Sequence, residues 1–108
     1  MTRNEVLKLA EELINGDRAK DYGEAITNHQ RISAGWNVIA RAALENYGYI
    51  CPAHVTLMMD WLKTCRLLET IEHQDSWVDK IGYNALGAEF MLNKERSVVP
   101  TKRKTAVE

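Results

Sequence analysis

The segment from Asp17 to Trp36 holds the residues of this 108-residue chain that are best suited to ligand binding or catalysis. Around Gly23 it gathers more charged, aromatic and amide side chains than a plain turn between helices needs: Arg18, Lys20, Asp21, Tyr22, Asn28 and Arg31. Arginine and lysine neutralise phosphate, tyrosine can stack on a base or hydrogen-bond a ribose, and asparagine both donates and accepts. The segment therefore predicts a binding site for a nucleotide-sized anionic ligand, but it does not say whether the ligand is held or cleaved.

A second group of polar residues follows one strip of the third helical segment, at intervals of three and four: Thr56, Asp60, Lys63, Arg66 and Thr70. Most of the rest of that segment is apolar. Lys63 and Arg66 therefore either face its only wetted side or line an anion pocket, where arginine can grip phosphate with two parallel hydrogen bonds. Asp60 and Lys63 are also spaced for an ordinary exposed salt bridge on a helix, and this alternative stays open.

Asp75 and Asp79 lie four residues apart, at the expected start of a fourth helix. They could bind a divalent ion, but capping the helix and complementing its dipole is the favoured interpretation. A metal-dependent phosphate enzyme gathers several carboxylates around Mg²⁺. Glu69 and Glu72 share a helical face near a helix end, where they are expected to be solvated. The sequence therefore predicts no resident metal or cofactor, with Asp75 and Asp79 as the magnesium ligands if the protein is an enzyme.

Length and composition predict one all-helical domain, at 45% hydrophobic and 27% charged residues. The net charge of −1 argues against a nucleic-acid-binding protein, which usually has a basic excess. Five basic and two acidic residues follow position 93, so the end of the chain carries +3 and the remainder −4. We expect a helical domain over residues 1–93 and a flexible basic tail over 94–108; the alternative for the tail is an arm that touches nucleic acid or an anionic partner.

The two cysteines and the hydropathy pattern indicate in which cellular compartment the protein is expected. Cys51 and Cys65 form no Cys-x-x-Cys pair, so the spacing indicates neither a zinc site nor a disulfide framework and fits a reducing cytoplasm. No apolar run of 18 residues occurs, and Glu11 and Glu12 interrupt the first hydrophobic segment. We therefore expect no signal peptide and no membrane span.

Helical periodicity and end signals predict four helices and no strand. Thr2 and Glu5 have capping-box spacing, and Gly16 stands where the first helix should end. The later helices are expected over about residues 24–46, over 53–73, and from Ser76 onward. The intervals of three and four in helix two favour a bundle.

The third and fourth helices have more apolar surface than one chain can cover. Helix three is apolar over most of its circumference, so we expect it to be central or covered by another subunit. Helix four has two apolar rows, which are Val78, Ile81, Ala85, Ala88 and Leu92 in one and Tyr83, Leu86 and Phe90 in the other. Gly82 and Gly87 leave room for a neighbouring backbone. These features predict a four-helix bundle-like domain that forms a homo-oligomer.

The order of these features resembles a family of small proteins encoded by tailed bacteriophages and prophages, over roughly residues 13–90. The residues that carry the resemblance are Gly16-Asp17-Arg18, Asp21-Tyr22-Gly23, Asn28, Ile32, Trp36, Leu57-Met58-Met59, Leu62-Lys63, Arg66, Asp75, Asp79, Gly82-Tyr83 and Ala88-Glu89. The helix order is also similar to that of the MazG-like all-α nucleotide pyrophosphohydrolases. That similarity implies assembly through helical bundles and Mg²⁺-dependent hydrolysis of nucleoside triphosphates. The sequence departs from the MazG pattern in the acidic metal ligands, of which only Asp75 and Asp79 could be remnants.

Three hypotheses follow. In the first, the protein is a phage-encoded sponge in the host cytoplasm that captures a nucleotide or cyclic nucleotide of antiphage defence without turning it over. In the second, it is a divergent nucleoside triphosphate pyrophosphohydrolase that uses Mg²⁺. In the third, it is a helical adaptor that binds another protein through helix three. Binding of a small ligand would distinguish the sponge and the hydrolase from the adaptor. Formation of a product would then distinguish the hydrolase from the sponge.

Overall fold

The computed structural model describes residues 1–16, 25–93 and 101–102. These residues form the helices α1 (Arg3–Asn15), α2 (Ala25–Tyr47), α3 (Pro52–Glu69) and α4 (Gln74–Leu92). No strand occurs in the described part of the chain. The prediction of an all-α fold with four helices is therefore confirmed for the part of the chain that the structure describes.

The ends of α1 match the sequence signals. The Thr2 hydroxyl accepts a hydrogen bond from the Glu5 backbone N–H at 3.2 Å, as the capping interpretation requires. At the other end, the Gly16 N–H donates to the Glu12 carbonyl at 2.8 Å and the helix stops. Both predicted boundaries of α1 are confirmed.

The turn between α3 and α4 differs from the prediction. Helix α3 ends at Glu69, before the expected His73, and α4 begins at Gln74, before the expected Ser76. His73 occupies the position before the first residue of α4. Its ring Nδ1 lies 2.7 Å from the hydroxyl of Ser76, which is buried within the first helical turn. Ser76, where the helix was expected to begin, therefore lies inside α4, and the residue that precedes the helix is His73.

Helix α3 lies in the middle, packed against α2 on one side and α4 on the other. Two tryptophans connect α2 to α3, since Trp36 Nε1 donates to the Met58 carbonyl at 2.7 Å and Trp61 Nε1 donates to the Arg31 carbonyl at 2.9 Å. The indole of Trp61 fills the space above Gly35, where an added Cβ would overlap the ring. The prediction that α3 is central is confirmed.

The two glycines of α4 have different surroundings. Gly87 is buried against α3, and a Cβ at this position would overlap the hydroxyl of Thr56, so a side chain of α3, and not its backbone as predicted, uses the space. Gly82 is exposed, and a Cβ there would meet no atom within 4 Å. The expected close approach at Gly82 is therefore wrong for contacts within the chain.

Little apolar surface is buried by this arrangement. Among the described apolar side chains, only Ala43, Cys51, Cys65 and Leu67 are fully buried. Every residue of α1 is exposed. None of the helices in the described residues is long and apolar enough to cross a membrane.

Candidate functional site

Most of the interhelical polar contacts lie in one half of the three-helix layer, where α2 begins, α3 ends and α4 begins. We call this region the polar half and define it by the following side chains: Asn28 and Arg31 of α2, Asp60, Lys63, Thr64, Arg66 and Glu69 of α3, and Asp79, Lys80 and Asn84 of α4. Because neighbouring helices run antiparallel, the N-termini of α2 and α4 both point toward this half. The partial positive charge of these two ends favours anions.

Lys80 and Asp60 form the centre of the contact between α3 and α4. The Lys80 ammonium lies 2.9 Å from the Asp60 carboxylate and also donates to the Thr64 hydroxyl. Asn84 Nδ2 donates to the same Asp60 oxygen at 3.1 Å. Asp60 therefore pairs with the next helix, and the predicted alternative of an Asp60–Lys63 salt bridge within α3 is not what the structure shows.

Lys63 instead pairs with Asp79. The ammonium and carboxylate lie 3.0 Å apart and join α3 to α4, with Lys63 three residues after Asp60 on α3 and Asp79 next to Lys80 on α4. Asp75 is exposed in the first turn of α4, where its charge complements the helix dipole. Of the two carboxylates predicted to cap α4, Asp75 therefore lies where that role requires, and Asp79 binds a lysine of the neighbouring helix. In the described residues, no three His, Cys, Asp or Glu side chains are grouped so that they could hold a metal ion.

Arg31 joins α2 to α3 by an ion pair with Glu69. Its side chain is 40% exposed, against 24% for Lys63 and 19% for Lys80. Of these three paired cations, Arg31 is thus the one that solvent or a ligand reaches most easily. Glu69, predicted to be solvated, is only 23% exposed because it binds this guanidinium.

Asn28 has a buried side-chain oxygen with no hydrogen-bond partner. It lies in the first turn of α2, one turn before Arg31, and residues three apart on a helix share a face. A buried acceptor without a donor costs free energy, and most buried polar groups in proteins are paired. Asn28 Oδ1 is therefore a buried acceptor to which no described group donates.

Cys65 lies inside the polar half and is fully buried. Burial raises the pKa of its thiol, while the positive charges of Arg31 and Lys80 oppose this shift without cancelling it. Both cations therefore act on the same buried position from neighbouring helices. The thiol stays neutral at physiological pH and is not an activated nucleophile.

The remaining predicted ligand residues divide into two groups. Arg66 donates to the Thr70 hydroxyl at 3.2 Å on its own helix. Arg18, Lys20, Asp21 and Tyr22 lie outside the described residues, and so does most of the predicted basic tail. Their proposed roles stay predictions. In the sequence, these four residues precede Ala25, the first residue of α2.

Sequence reasoning missed Lys80, Asn84 and Thr64. A signal was present, because Lys80 and Asn84 are four residues apart and therefore share a face of α4. Polar residues there indicate that the α3–α4 contact is partly ionic, and Asp60 at the middle of α3 is their natural partner.

Comparisons with known proteins place the chain in a family. A family model described as "Domain of unknown function (DUF6378)" matches residues 5–91, which is most of the chain. The chain belongs to this family. The matched range contains Asn28, Arg31 and every other described residue of the polar half.

A curated relative of the DUF6378 chain is the "Gene 55 protein" of Mycobacterium phage L5, which is 44% identical over 90 residues. The alignment covers 83% of this chain and 54% of the phage protein, so the chain spans about half the length of that relative. No solved structure matches. The predicted resemblance to a phage protein family is confirmed, and the finer similarity to MazG-like enzymes stays a prediction.

Proposed function

We propose that this DUF6378 protein binds a nucleotide at the polar half and holds it without turning it over. The ligand is a nucleotide or cyclic nucleotide, and capture of such a signal in the host cytoplasm during phage infection is the biological role that this chemistry suits. The observation that carries the proposal is the unpartnered buried oxygen of Asn28. A base amino group or a sugar hydroxyl would supply the missing donor.

Arg31 supplies the matching contact for phosphate. It lies one turn from Asn28 and is the most exposed of the three paired cations, so its guanidinium can turn from Glu69 toward a ligand. Phosphate accepts two parallel hydrogen bonds from arginine, as the carboxylate does, and carries more charge. The nearby N-terminus of α2 adds to the attraction for an anion. Arg18, Lys20, Asp21 and Tyr22 would complete the site from the preceding segment.

Lys63 and Lys80 have a different role in this proposal. Both are largely covered and hold α3 against α4 through Asp79 and Asp60. Each ammonium is less exposed than the Arg31 guanidinium, so a ligand reaches it less easily. We therefore assign phosphate contact to Arg31, and treat Lys63 as a ligand residue only if its pair with Asp79 opens.

Capture is preferred to hydrolysis because of Asp79. The MazG-like hypothesis needs Asp75 and Asp79 as Mg²⁺ ligands, and Asp79 is bound to the Lys63 ammonium. A magnesium ion there would have to displace a paired cation. The described carboxylates therefore do not fit a built magnesium site.

The proposal is tested by mixing the purified protein with a panel of nucleotides and cyclic nucleotides in the presence of Mg²⁺. Chromatography then measures the free nucleotide before and after the protein is denatured. Capture predicts that one nucleotide disappears from solution and returns chemically unchanged. New products would support the hydrolase instead. A panel in which every nucleotide stays free would refute ligand binding and favour the adaptor.

A matched pair of variants locates the site. Arg31→Ala should weaken binding by about ten- to a hundredfold, which corresponds to about 1.5–3 kcal/mol for hydrogen bonds to a charged group. Arg31→Lys should restore only part of the loss, because an ammonium cannot make the two-pronged contact. Arg41→Ala is the control, since Arg41 is exposed on α2 well away from Asn28. Equal loss in the Arg31 and Arg41 variants would show general charge attraction and not a site.

A further inference from the structure

The ion pair between Arg31 and Glu69 places a carboxylate where the proposed function needs a phosphate. The Arg31 guanidinium donates through Nη1 to Glu69 Oε1. A phosphate that bound the remaining N–H groups of the same guanidinium would lie close to this carboxylate, and two anions at such a short distance repel each other. A ligand phosphate therefore binds Arg31 by replacing Glu69, and not by joining it.

Glu69 can leave Arg31 without separating the two helices. It is the last residue of α3, so its side chain can turn into the solvent beyond the helix end. The contact between α2 and α3 also rests on hydrogen bonds from the indoles of Trp36 and Trp61 to backbone carbonyls. The Trp61 indole donates to the carbonyl of Arg31 itself, so it holds the backbone of this residue but not its guanidinium. Replacing Glu69 thus costs one ion pair and leaves the packing of α2 on α3 in place.

The charge of the incoming group decides whether this exchange is favourable. A carboxylate carries one negative charge on two oxygens, and so does the phosphodiester of a cyclic nucleotide. A phosphodiester that replaces Glu69 therefore gives Arg31 no additional charge to bind. A terminal phosphate carries about −1.5 to −2 charges at neutral pH and has three acceptor oxygens. Of the two groups, only the terminal phosphate gains electrostatic energy when it takes the place of the carboxylate.

The size of this preference follows from the exposure of the ion pair. The Arg31 side chain is 40% exposed, so its interactions are close to those of charges in water. One additional charge at about 4 Å from a cation is worth about fivefold in affinity in water. Salt screens interactions between exposed charges, so the preference should be measured at low ionic strength.

We propose that Glu69 is an internal competitor for Arg31 and thereby selects a ligand with a terminal phosphate over a cyclic nucleotide. This inference rests on the proposed function and narrows its ligand class to nucleotides that carry a phosphate monoester. The role of Asn28 is unchanged, because its oxygen accepts from a base or a sugar and not from the phosphate.

Calorimetric titration of the wild type tests the ligand class. The probes are the 5′-monophosphates of adenosine, guanosine, cytidine and uridine, each beside its 3′,5′-cyclic monophosphate. For the base that binds best, the 5′-monophosphate should bind about fivefold more tightly than the cyclic form. A cyclic form that binds equally well or better would overturn this inference and leave the proposed function standing. Binding of no nucleotide at all, to the wild type or to a Glu69 variant, would instead refute the proposed function.

Glu69→Gln tests the competition, because glutamine keeps the shape of the side chain and removes its charge. Affinity for the cyclic form should rise by about two- to fivefold, the range for loss of an exposed ion pair, and affinity for the 5′-monophosphate should rise at least as much. If Glu69 only held Arg31 in position, the same variant would bind both probes more weakly, and the proposal would be wrong. The helical circular dichroism spectrum should stay unchanged, because the indole hydrogen bonds between α2 and α3 remain.

Two further variants show whether the effect belongs to this pair. Glu45→Gln removes the same charge from an exposed position of α2, about four turns after Arg31, and should leave both affinities unchanged. An equal rise in the Glu45 and Glu69 variants would show a general effect of negative charge and overturn the proposal. In the Arg31→Ala background, Glu69→Gln should have no effect on affinity, because the group for which Glu69 competes is absent. A rise in affinity that persists without Arg31 would contradict competition for this guanidinium.

Discussion

Gly35 and Trp61 provide a quantitative test of how α2 meets α3. A Cβ at Gly35 would overlap Nε1, Cε2 and Cδ1 of Trp61, which are all atoms of the five-membered ring. The indole cannot swing away freely, because its N–H donates to the Arg31 carbonyl at 2.9 Å. Gly35→Ala must therefore move the helices apart or break this hydrogen bond.

The expected cost can be worked from these contacts. Overpacking costs about 1–3 kcal/mol, and loss of a hydrogen bond adds about 0.5–1.5 kcal/mol. Alanine returns about 1 kcal/mol through its higher helix propensity. Gly35→Ala should therefore lower the free energy of unfolding by about 0.5–3.5 kcal/mol. Urea denaturation followed by circular dichroism measures this change.

A double-mutant cycle with Trp61→Ala isolates the overlap. Alanine removes the whole indole, so Gly35→Ala in that background should be neutral or stabilise the protein by up to about 1 kcal/mol. Asn37→Ala is the control for propensity alone, since Asn37 is exposed on the same helix. If Gly35→Ala stabilised the protein equally in both backgrounds, the described packing of α2 on α3 would be refuted.

Two further predictions concern the polar half. Lys80→Met should lower the free energy of unfolding by about 1–3 kcal/mol, because Asp60 loses its ammonium partner but keeps the amide of Asn84 as a donor. Urea denaturation measures this change, and an unchanged free energy of unfolding would contradict the ion pair. Cys65 should make stability fall at alkaline pH, because burial raises the pKa of its thiol in the folded chain and the unfolded chain ionises first, above about pH 8.5. Between neutral pH and a pH above about 8.5, the free energy of unfolding should therefore fall less in Cys65→Ala than in the wild type. An equal fall in both proteins would show that the Cys65 thiol does not cause the pH dependence.

Features set by residues close together in the sequence could be predicted from the sequence. The Thr2 cap and the end of α1 at Gly16 involve groups within four residues of each other, so spacing alone predicts them. The central position of α3 follows from apolar residues on most of its surface. The start of α4 was predicted two residues late, because a histidine in the capping position is not recognised from residue type.

The partners of charged residues could not be predicted from spacing. A salt bridge between Asp60 and Lys63 within α3 was one predicted alternative, but Asp60 binds Lys80 of the next helix. Asp79 was expected to act at the start of its own helix, but it binds Lys63. Such contacts depend on how far each helix is rotated about its axis relative to its neighbour. Sequence periodicity shows which face of a helix packs, but it does not show this rotation precisely enough to identify the partner residue. The same limit explains why Asn28 was predicted as a ligand residue on chemistry alone, without its unpartnered oxygen.

The central claim is tested most directly by calorimetric titration of the wild type and Asn28→Leu with the nucleotide that the panel identifies. Leucine is close to asparagine in shape and has no acceptor to satisfy, so the ligand-free variant should be as stable as the wild type or more stable. Its affinity should be about ten- to a hundredfold weaker, because the ligand loses the contact that Asn28 Oδ1 offers. Unchanged affinity in Asn28→Leu would contradict the account, since the buried oxygen would then have no part in binding.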